Sequence, residues 1–423
     1  MTHRFPKRTA LLAVMLLGLG AAALAAPATI YELAPVTPGH TETHAAGLNN
    51  QAQVVGHSAA EVHLGGAVLR QSLPAFWNTP TGPAGNPVPG LALPSTLDSH
   101  GTAVAINDAG QVAGSYNGRA YRWTPSSPGV YANAGLALGM PAEPHAHSQT
   151  AADINSQGSV VGSYWRCAFD NCGNGGMGNT RAWRWDTAGG VQAIGPHSGF
   201  WTYAQAINNA GDTLVANTPA NNSRLIQIIA ADGTVTDVPL PGHISALDVT
   251  MDMNDQRQIA ATRFVGDGSV RQALVWSEGA EYALSHLAPG LGGRITAINS
   301  LGWVVGSEAV SASDWVAALW VGTSLVFDLN HLLDADDAEL WRLTEAVDIN
   351  DQGWLTGNGW YRSTVNAEYQ RRGFLLQLSA DFIGGLPPPG ELFPPPSSPV
   401  PLPGTLALTA LALLLTVTRR QKA

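Results

Sequence analysis

The sequence predicts an all-β fold: a β-propeller of seven blades, each of four antiparallel strands, closed by an N-terminal strand. A Pro-rich linker and a C-terminal apolar helix follow it. Three observations lead there. One phrase recurs along the chain, clearest at Ala105-Ile106-Asn107-Asp108-Ala109-Gly110-Gln111-Val112-Ala113-Gly114. The chain is rich in Gly (47) and Trp (13) and only 12% charged, which suits short strands joined by turns better than long solvent-facing helices. An unpaired strand pattern before the first copy supplies what the last copy lacks.

The phrase returns at Asn49, Asn155, Asn208, Asn254, Asn299 and Asn350, with 45 to 58 residues between successive Asn residues. A period in that range marks a repeat architecture, so 423 residues can form one body. Within the second copy, Thr102 to Ile106 alternates as a strand. Asn107-Asp108-Ala109-Gly110 is a turn, because Asn and Asp side chains bond nearby backbone and Gly accepts positive φ. Gln111 to Tyr116 returns as the second strand of a hairpin. Arg119 to Trp123 is the third strand, and Val130 to Leu138 supplies the fourth. The other copies keep this order, with Gly190–Ile194 and Val235–Val238 among their fourth strands. The seventh copy ends after its third strand, at Leu378, while Thr29 to Leu33 precedes the first copy. Ring closure by that strand leaves no open sheet edge between the ends. A six- or eight-bladed ring and an open solenoid are the alternatives, since the degenerate fourth copy changes the count.

The termini read as addresses. Arg4, Lys7 and Arg8 precede an apolar run from Leu11 to Leu24, and Ala23-Leu24-Ala25 is a small-x-small cleavage site. Residues 1–25 therefore read as a secretory signal. The body is 26–378, a Pro-rich linker covers 379–399, and 400–423 is a second signal. In that signal Thr405 to Thr418 is an uncharged apolar run followed by Arg419, Arg420 and Lys422. It is short for a full span but inserts with snorkelling flanks, and a plain tail anchor is the alternative. A mean hydropathy of +0.03 excludes a multi-span membrane protein. The net charge is −10, and both ends are basic, so the body alone is still more acidic. Such a surface argues against nucleic acid as a partner.

Two resemblances follow from these residues. Val400-Pro401-Leu402-Pro403-Gly404, the apolar run and the basic tip resemble a PEP-CTERM sorting signal in a Val-Pro-Leu-Pro variant. Leu402 stands where the family usually has Glu, and Gly404 where it usually has Ser or Ala. This resemblance implies an exosortase-type sorting protease, transient inner-membrane insertion, and release or display at the surface of an exopolysaccharide-producing Gram-negative cell. The repeated phrase resembles the HAF extracellular repeat family over residues 46 to 378. The closest stretch runs from Asp328-Leu329-Asn330 through Trp341, Leu343 and Ala346 to Ile349-Asn350-Asp351-Gln352-Gly353. That family implies a surface or secreted protein without an assigned reaction.

Seven copies of Asn in one local phrase read as turn-fixing residues rather than a ladder of ligand sites. The recurring positions Phe76, Tyr121, Trp183, Trp276, Leu319 and Phe374 read as packing between blades. Non-repeating residues are the better functional candidates. The longest irregular insertion, Tyr164 to Thr180, carries Trp165, Arg166, Phe169 and Asp170 and is the candidate binding loop. Cys167 and Cys172 lie within it, and in an exported chain they read as a disulfide, with a metal pair as the alternative. His145 and His147 lack further ligands, and Asp334, Asp336, Asp337 and Glu339 read as an exposed helical turn, so no metal or cofactor is expected. No Gly-x-Ser-x-Gly, phosphate loop, dinucleotide fingerprint or His-Glu-x-x-His is present. The expected function is a non-enzymatic surface or matrix protein whose partner is the exopolysaccharide. The alternative is a secreted propeller enzyme acting on glycans, with carboxylates or a His/Arg/Tyr group at one end of the channel.

Overall fold

A computed structural model describes residues 26–393, apart from 65–66, 82–86, 89, 94–99, 168–177, 196–198, 220–224, 240–249 and 266–269. The signal segment 1–25, Phe169, Asp170, Cys172, the motif Val400 to Gly404 and the apolar run after it lie outside the described residues. Among the described residues no helix is long and apolar enough to cross a membrane.

The fold is all-β and built of small antiparallel sheets. Each copy of the phrase joins the first two strands of a four-stranded unit. Unit 1 comprises Glu42–Leu48, Val54–Leu64, Ala67–Trp77 and Gly90–Ala92, and unit 2 comprises Gly101–Ile106, Val112–Tyr116, Arg119–Trp123 and Leu136–Ala137. Unit 3 is Ala146–Ile154, Val160–Cys167, Gly178–Asp186 and Gly190–Ile194, and unit 4 is Gly199–Ile207, Thr213–Pro219, Leu225–Ile229 and Val235–Val238. A parallel bridge between Thr180 and Trp201 joins these two units into one larger sheet. Unit 5 is Met251–Met253, Ile259–Val265, Val270–Ser277 and Ala280–Ala283, and unit 6 is Gly293–Ile298, Trp303–Ala309, Trp315–Val321 and Leu325–Asp328. Unit 7 takes Trp341–Ile349, Trp354–Tyr361 and Gln370–Leu378 from its own copy. Its fourth strand is Ala28–Glu32, antiparallel to the third with Ile30 opposite Leu376.

The local chemistry explains why each copy turns where it does. The Asn107 side-chain oxygen accepts from the N–H groups of Ala109 (3.1 Å) and Gln111 (2.9 Å). The Asn107 N–H returns to the Gln111 carbonyl at 3.0 Å. The third residue after Asn is left-handed in all seven copies. Five are Gly, such as Gly110 at φ +72°, while Ala52 and Arg257 hold φ +56° and +57° without that freedom. Seven residues after Asn, Gly56, Gly114, Gly162, Gly306 and Gly357 lie against a first-strand carbonyl. A Cβ there would sit 1.9 to 2.3 Å from that oxygen.

The core lies between units. One cluster runs through units 5, 6 and 7 with Ala28 and Ile30, and another joins Leu33 and Leu375 to Leu48, Val54 and Trp77 of unit 1. Of the six predicted packing positions, Phe76, Trp183, Leu319 and Phe374 are buried in core clusters, while Tyr121 and Trp276 are only partly buried against them. The acidic turn is a short helix, α1 (Ala335–Leu340), capped by Asp334 accepting from the Asp337 N–H.

The span from Ser379 was expected as an unpacked linker, and its first part is packed. Ser379 donates its N–H to the Pro27 carbonyl (2.7 Å) and caps a second helix, α2 (Ala380–Gly384). Phe382 packs edge-on against Phe327 of unit 6, with ring centroids 5.1 Å apart. Leu392 and Phe393 are buried near Gly302, and Phe393 meets Tyr282 of unit 5. Proline density suggested a spacer, but the four apolar side chains Phe382, Ile383, Leu392 and Phe393 find a surface across units 5 to 7.

Candidate functional site

The seven turns converge on one cavity of about 210 Å³, lined by every Asn of the phrase and the residue after it. Each of these Asn side chains is buried. Its oxygen serves its own turn, and in six of the seven its nitrogen reaches the next copy. Asn49 Nδ2 donates to the Asn107 carbonyl (3.1 Å), Asn107 to that of Asn155 (2.8 Å), and Asn155 to that of Asn208 (3.2 Å). Asn254 donates to the Asn299 carbonyl (2.9 Å), Asn299 to that of Asn350 (3.0 Å), and Asn350 to that of Asn49 (3.0 Å). The last of these bonds joins unit 7 to unit 1. Asn208 donates to its own Asp212 (3.1 Å), and Arg257 of unit 5 reaches Asp212 in turn.

A second layer repeats the device one residue on. Asn50 gives its N–H and Nδ2 to the two oxygens of Asp108 (2.8 and 2.9 Å), and Asn209 does the same to Asp255 (both 2.8 Å). Ser300 N–H reaches Asp351 (2.8 Å), and Asp351 N–H reaches Asn50 (3.3 Å). The polar atoms of this mouth thus bond mainly to one another. The Asn residues are turn-fixing, as the sequence suggested, and they also tie copy to copy, which the sequence reading missed.

A third layer lies two residues before each Asn. That position holds Gly47, Ala105, Asp153, Ala206, Asp252, Ala297 and Asp348. Each Asp bridges two first strands with its two oxygens. Asp153 accepts from its own Ile154 N–H (2.7 Å) and from Ile207 (2.8 Å). Asp252 accepts from Met253 (2.8 Å) and Ile298 (2.9 Å), and Asp348 from Ile349 and Leu48 (both 2.7 Å). All three residues are partly exposed and Asp153 lines the cavity, while protein atoms crowd each carboxylate. Burial, then the Asp252 charge, pushes Asp153 up to about 7. Burial raises Asp252. Burial and the charges of Asp252 and Asp153 push Asp348 up to about 8. The sequence carried a signal for this trio: an acid in every second copy at one register, from the third onward.

Five residues before six of the seven Asn, toward the other end of the first strands, stand His44, Thr102, Thr150, Tyr203, Arg294 and Glu345. Arg294 Nε donates to Thr250 (3.1 Å), and its guanidinium lies 3.9 Å from Glu345. His44 stacks on His57 at 4.6 Å and faces Glu42 at 3.6 Å. Tyr203 pairs with Thr180 at 3.4 Å.

Of the predicted binding loop, Trp165 and Arg166 are described and lie at the end of the second strand of unit 3. Arg166 Nε donates to the Pro144 carbonyl (3.2 Å) and faces Glu143. Trp165 pairs in register with Thr180, which bridges to the 38% exposed Trp201 of unit 4. The Asn179 side-chain oxygen nearby is buried without a hydrogen-bond partner. Cys167 is disulfide-bonded. His145 holds φ +64°, and no group of three His, Cys, Asp or Glu fit for a metal occurs among the described residues.

No family model matches the chain, and no curated protein does. Solved structures do. A puromycin hydrolase mutant complexed with PGG aligns at TM-score 0.48 and 12% identity, over 81% of this chain and 55% of that one. This chain therefore spans about half of the hydrolase. The polysaccharide lyase Uly1 aligns at TM-score 0.45 and 9% identity, over 82% and 92% of the two chains. The BP39L lectin from Burkholderia pseudomallei aligns at 0.36 and 10%, over 82% and 97%. Their differing activities assign none to this chain.

Proposed function

We propose that the protein is an exported, non-enzymatic surface or extracellular-matrix protein that binds polysaccharide at the rim of units 3 and 4. Its body is a seven-bladed β-propeller closed by Ala28–Glu32. The observation that carries this reading is the saturation of the repeated phrase. Its Asn and Asp groups are spent on copy-to-copy bonds, which leaves recognition to residues outside the repeat. Trp165 and the partly exposed Trp201 place aromatic rings there. A Cys167–Cys172 disulfide staples the loop between them. An exosortase-type protease removes the tail at Val400 to Gly404 after transient inner-membrane insertion.

The test is a pull-down with the producing cell's own exopolysaccharide. Wild type should be retained, and a variant with residues 168–177 replaced by a short Gly/Ser turn should not. Equal retention of both removes the rim from the proposal. Mass spectrometry of the mature protein should find neither the signal segment nor Arg419-Arg420.

A second reading, a secreted enzyme acting on glycans, draws on His44, Tyr203, Arg294 and Glu345 at one register of the first strands. Turnover of the same polysaccharide that disappears in Glu345→Gln and His44→Ala would favour it.

A further inference from the structure

We propose that Asp153, Asp252 and Asp348 form a proton-loaded clasp, holding the junctions of units 3 with 4, 5 with 6 and 7 with 1 most firmly when the trio carries protons.

The geometry has three parts. Each carboxylate takes one N–H from its own first strand and one from the next, so three side chains serve six of the seven first strands. An odd number of copies cannot alternate acid and small residue without a break. The break falls at units 1 and 2, where Gly47 and Ala105 follow each other and no such acid serves Ile106. The junction of units 7 and 1, which closes the chain on itself, is among those clasped.

The charges around the trio do not neutralise it. The three carboxylates repel one another. On one side lie the mouth carboxylates Asp108, Asp255 and Asp351, and the lining of that cavity includes no Lys, Arg or His. On the other side the first strands carry Glu42 and His44, facing each other, and Arg294 near Glu345. A proton on one carboxylate weakens one N–H bond but removes a charge from a poorly solvated space. Burial and mutual repulsion outweigh the N–H bonds, and the carboxyls hold protons at a pH where ordinary aspartates have lost them.

The direction of linkage follows. Folded pKa values above the unfolded ones mean that the folded protein binds more protons between them. Stability is therefore fully present below the unfolded aspartate value of about 4 and falls as pH rises through about 7 to 8.

Two measurements test the clasp. The first titrates wild-type protein labelled with 13C at the aspartate carboxyls, with assignments from single Asp→Ala variants. The Asp153 and Asp348 signals should move near neutrality, and that of Asp252 above the ordinary aspartates. Titration of all three near pH 4 would overturn the proposal. The second compares the unfolding equilibrium of wild type with Asp153→Ala, Asp252→Ala and Asp348→Ala across pH 5 to 9. Ala is the residue already present at this register in units 2, 4 and 6. Each substitution should flatten the rise of the unfolding constant with pH, by up to about tenfold per pH unit for each proton lost. Slopes equal to wild type would also overturn it.

Discussion

Arg257 of unit 5 grips Asp212 of unit 4 through two bonds, Nε to Oδ2 at 2.8 Å and Nη2 to Oδ1 at 3.0 Å. Both residues are departures from the tidy phrase. Asp212 stands where three other copies have Gln, and Arg257 stands where five have Gly. Each departure supports the other, at the junction where Asn208 Nδ2 donates to Asp212 of its own turn. The Asp212 carboxylate is nearly buried, while the Arg257 side chain is 52% exposed. A double-mutant cycle with Arg257→Ala and Asp212→Asn should therefore give a coupling of only about 1 kcal/mol, discounted for solvent screening. A coupling near zero in denaturant unfolding would mean that the two irregularities are unrelated.

Left-handed backbone at Ala52 predicts a gain from glycine. An L-residue in this conformation is strained by about 1–2 kcal/mol, and glycine returns part of that through its more flexible unfolded chain. Ala52→Gly should stabilise the protein by about 0.5–1 kcal/mol. Gly302→Ala, at the same register with φ +80° and Phe393 3.3 Å from the added Cβ, should destabilise it by at least as much. Thermal unfolding of both variants checks the sign.

The packed C-terminal strap predicts where the chain tolerates truncation. Ending the protein after Phe393 should leave its stability unchanged. Ending it after Leu378 removes Leu392 and Phe393 from buried sites and uncovers the seats of Phe382 and Ile383. That loss should cost about 2–4 kcal/mol, after allowing for the entropy of ordering the strap. Urea unfolding of the two truncated chains makes the comparison.

Periodicity made much of this fold readable. Gly190–Ile194 and Val235–Val238 were bounded correctly, and the N-terminal strand was placed against the right partner, because period-two alternation and turn residues act locally. The second role of each Asn was not readable. A side-chain nitrogen donating to a carbonyl 45 to 58 residues away leaves no trace in its own turn. The strap at Phe382 to Phe393 was hidden by prolines whose composition signals a spacer. Trp201, outside the predicted loop, was missed because it belongs to no motif. The Asp153, Asp252 and Asp348 trio was legible in principle, by aligning the copies at one register.

The repeated phrase as scaffold and the unit 3–4 rim as binding surface separate in one experiment. Polysaccharide retention and unfolding midpoint are measured together for Asn107→Ala and for Trp165→Ala with Trp201→Ala. Asn107→Ala should lose about 2–4 kcal/mol, from broken turn and copy-to-copy bonds, yet keep its binding while folded. The Trp variant should keep its midpoint, within about 1 kcal/mol, and lose retention at least tenfold. Loss of binding in folded Asn107→Ala, with retention intact in the Trp variant, would contradict both assignments.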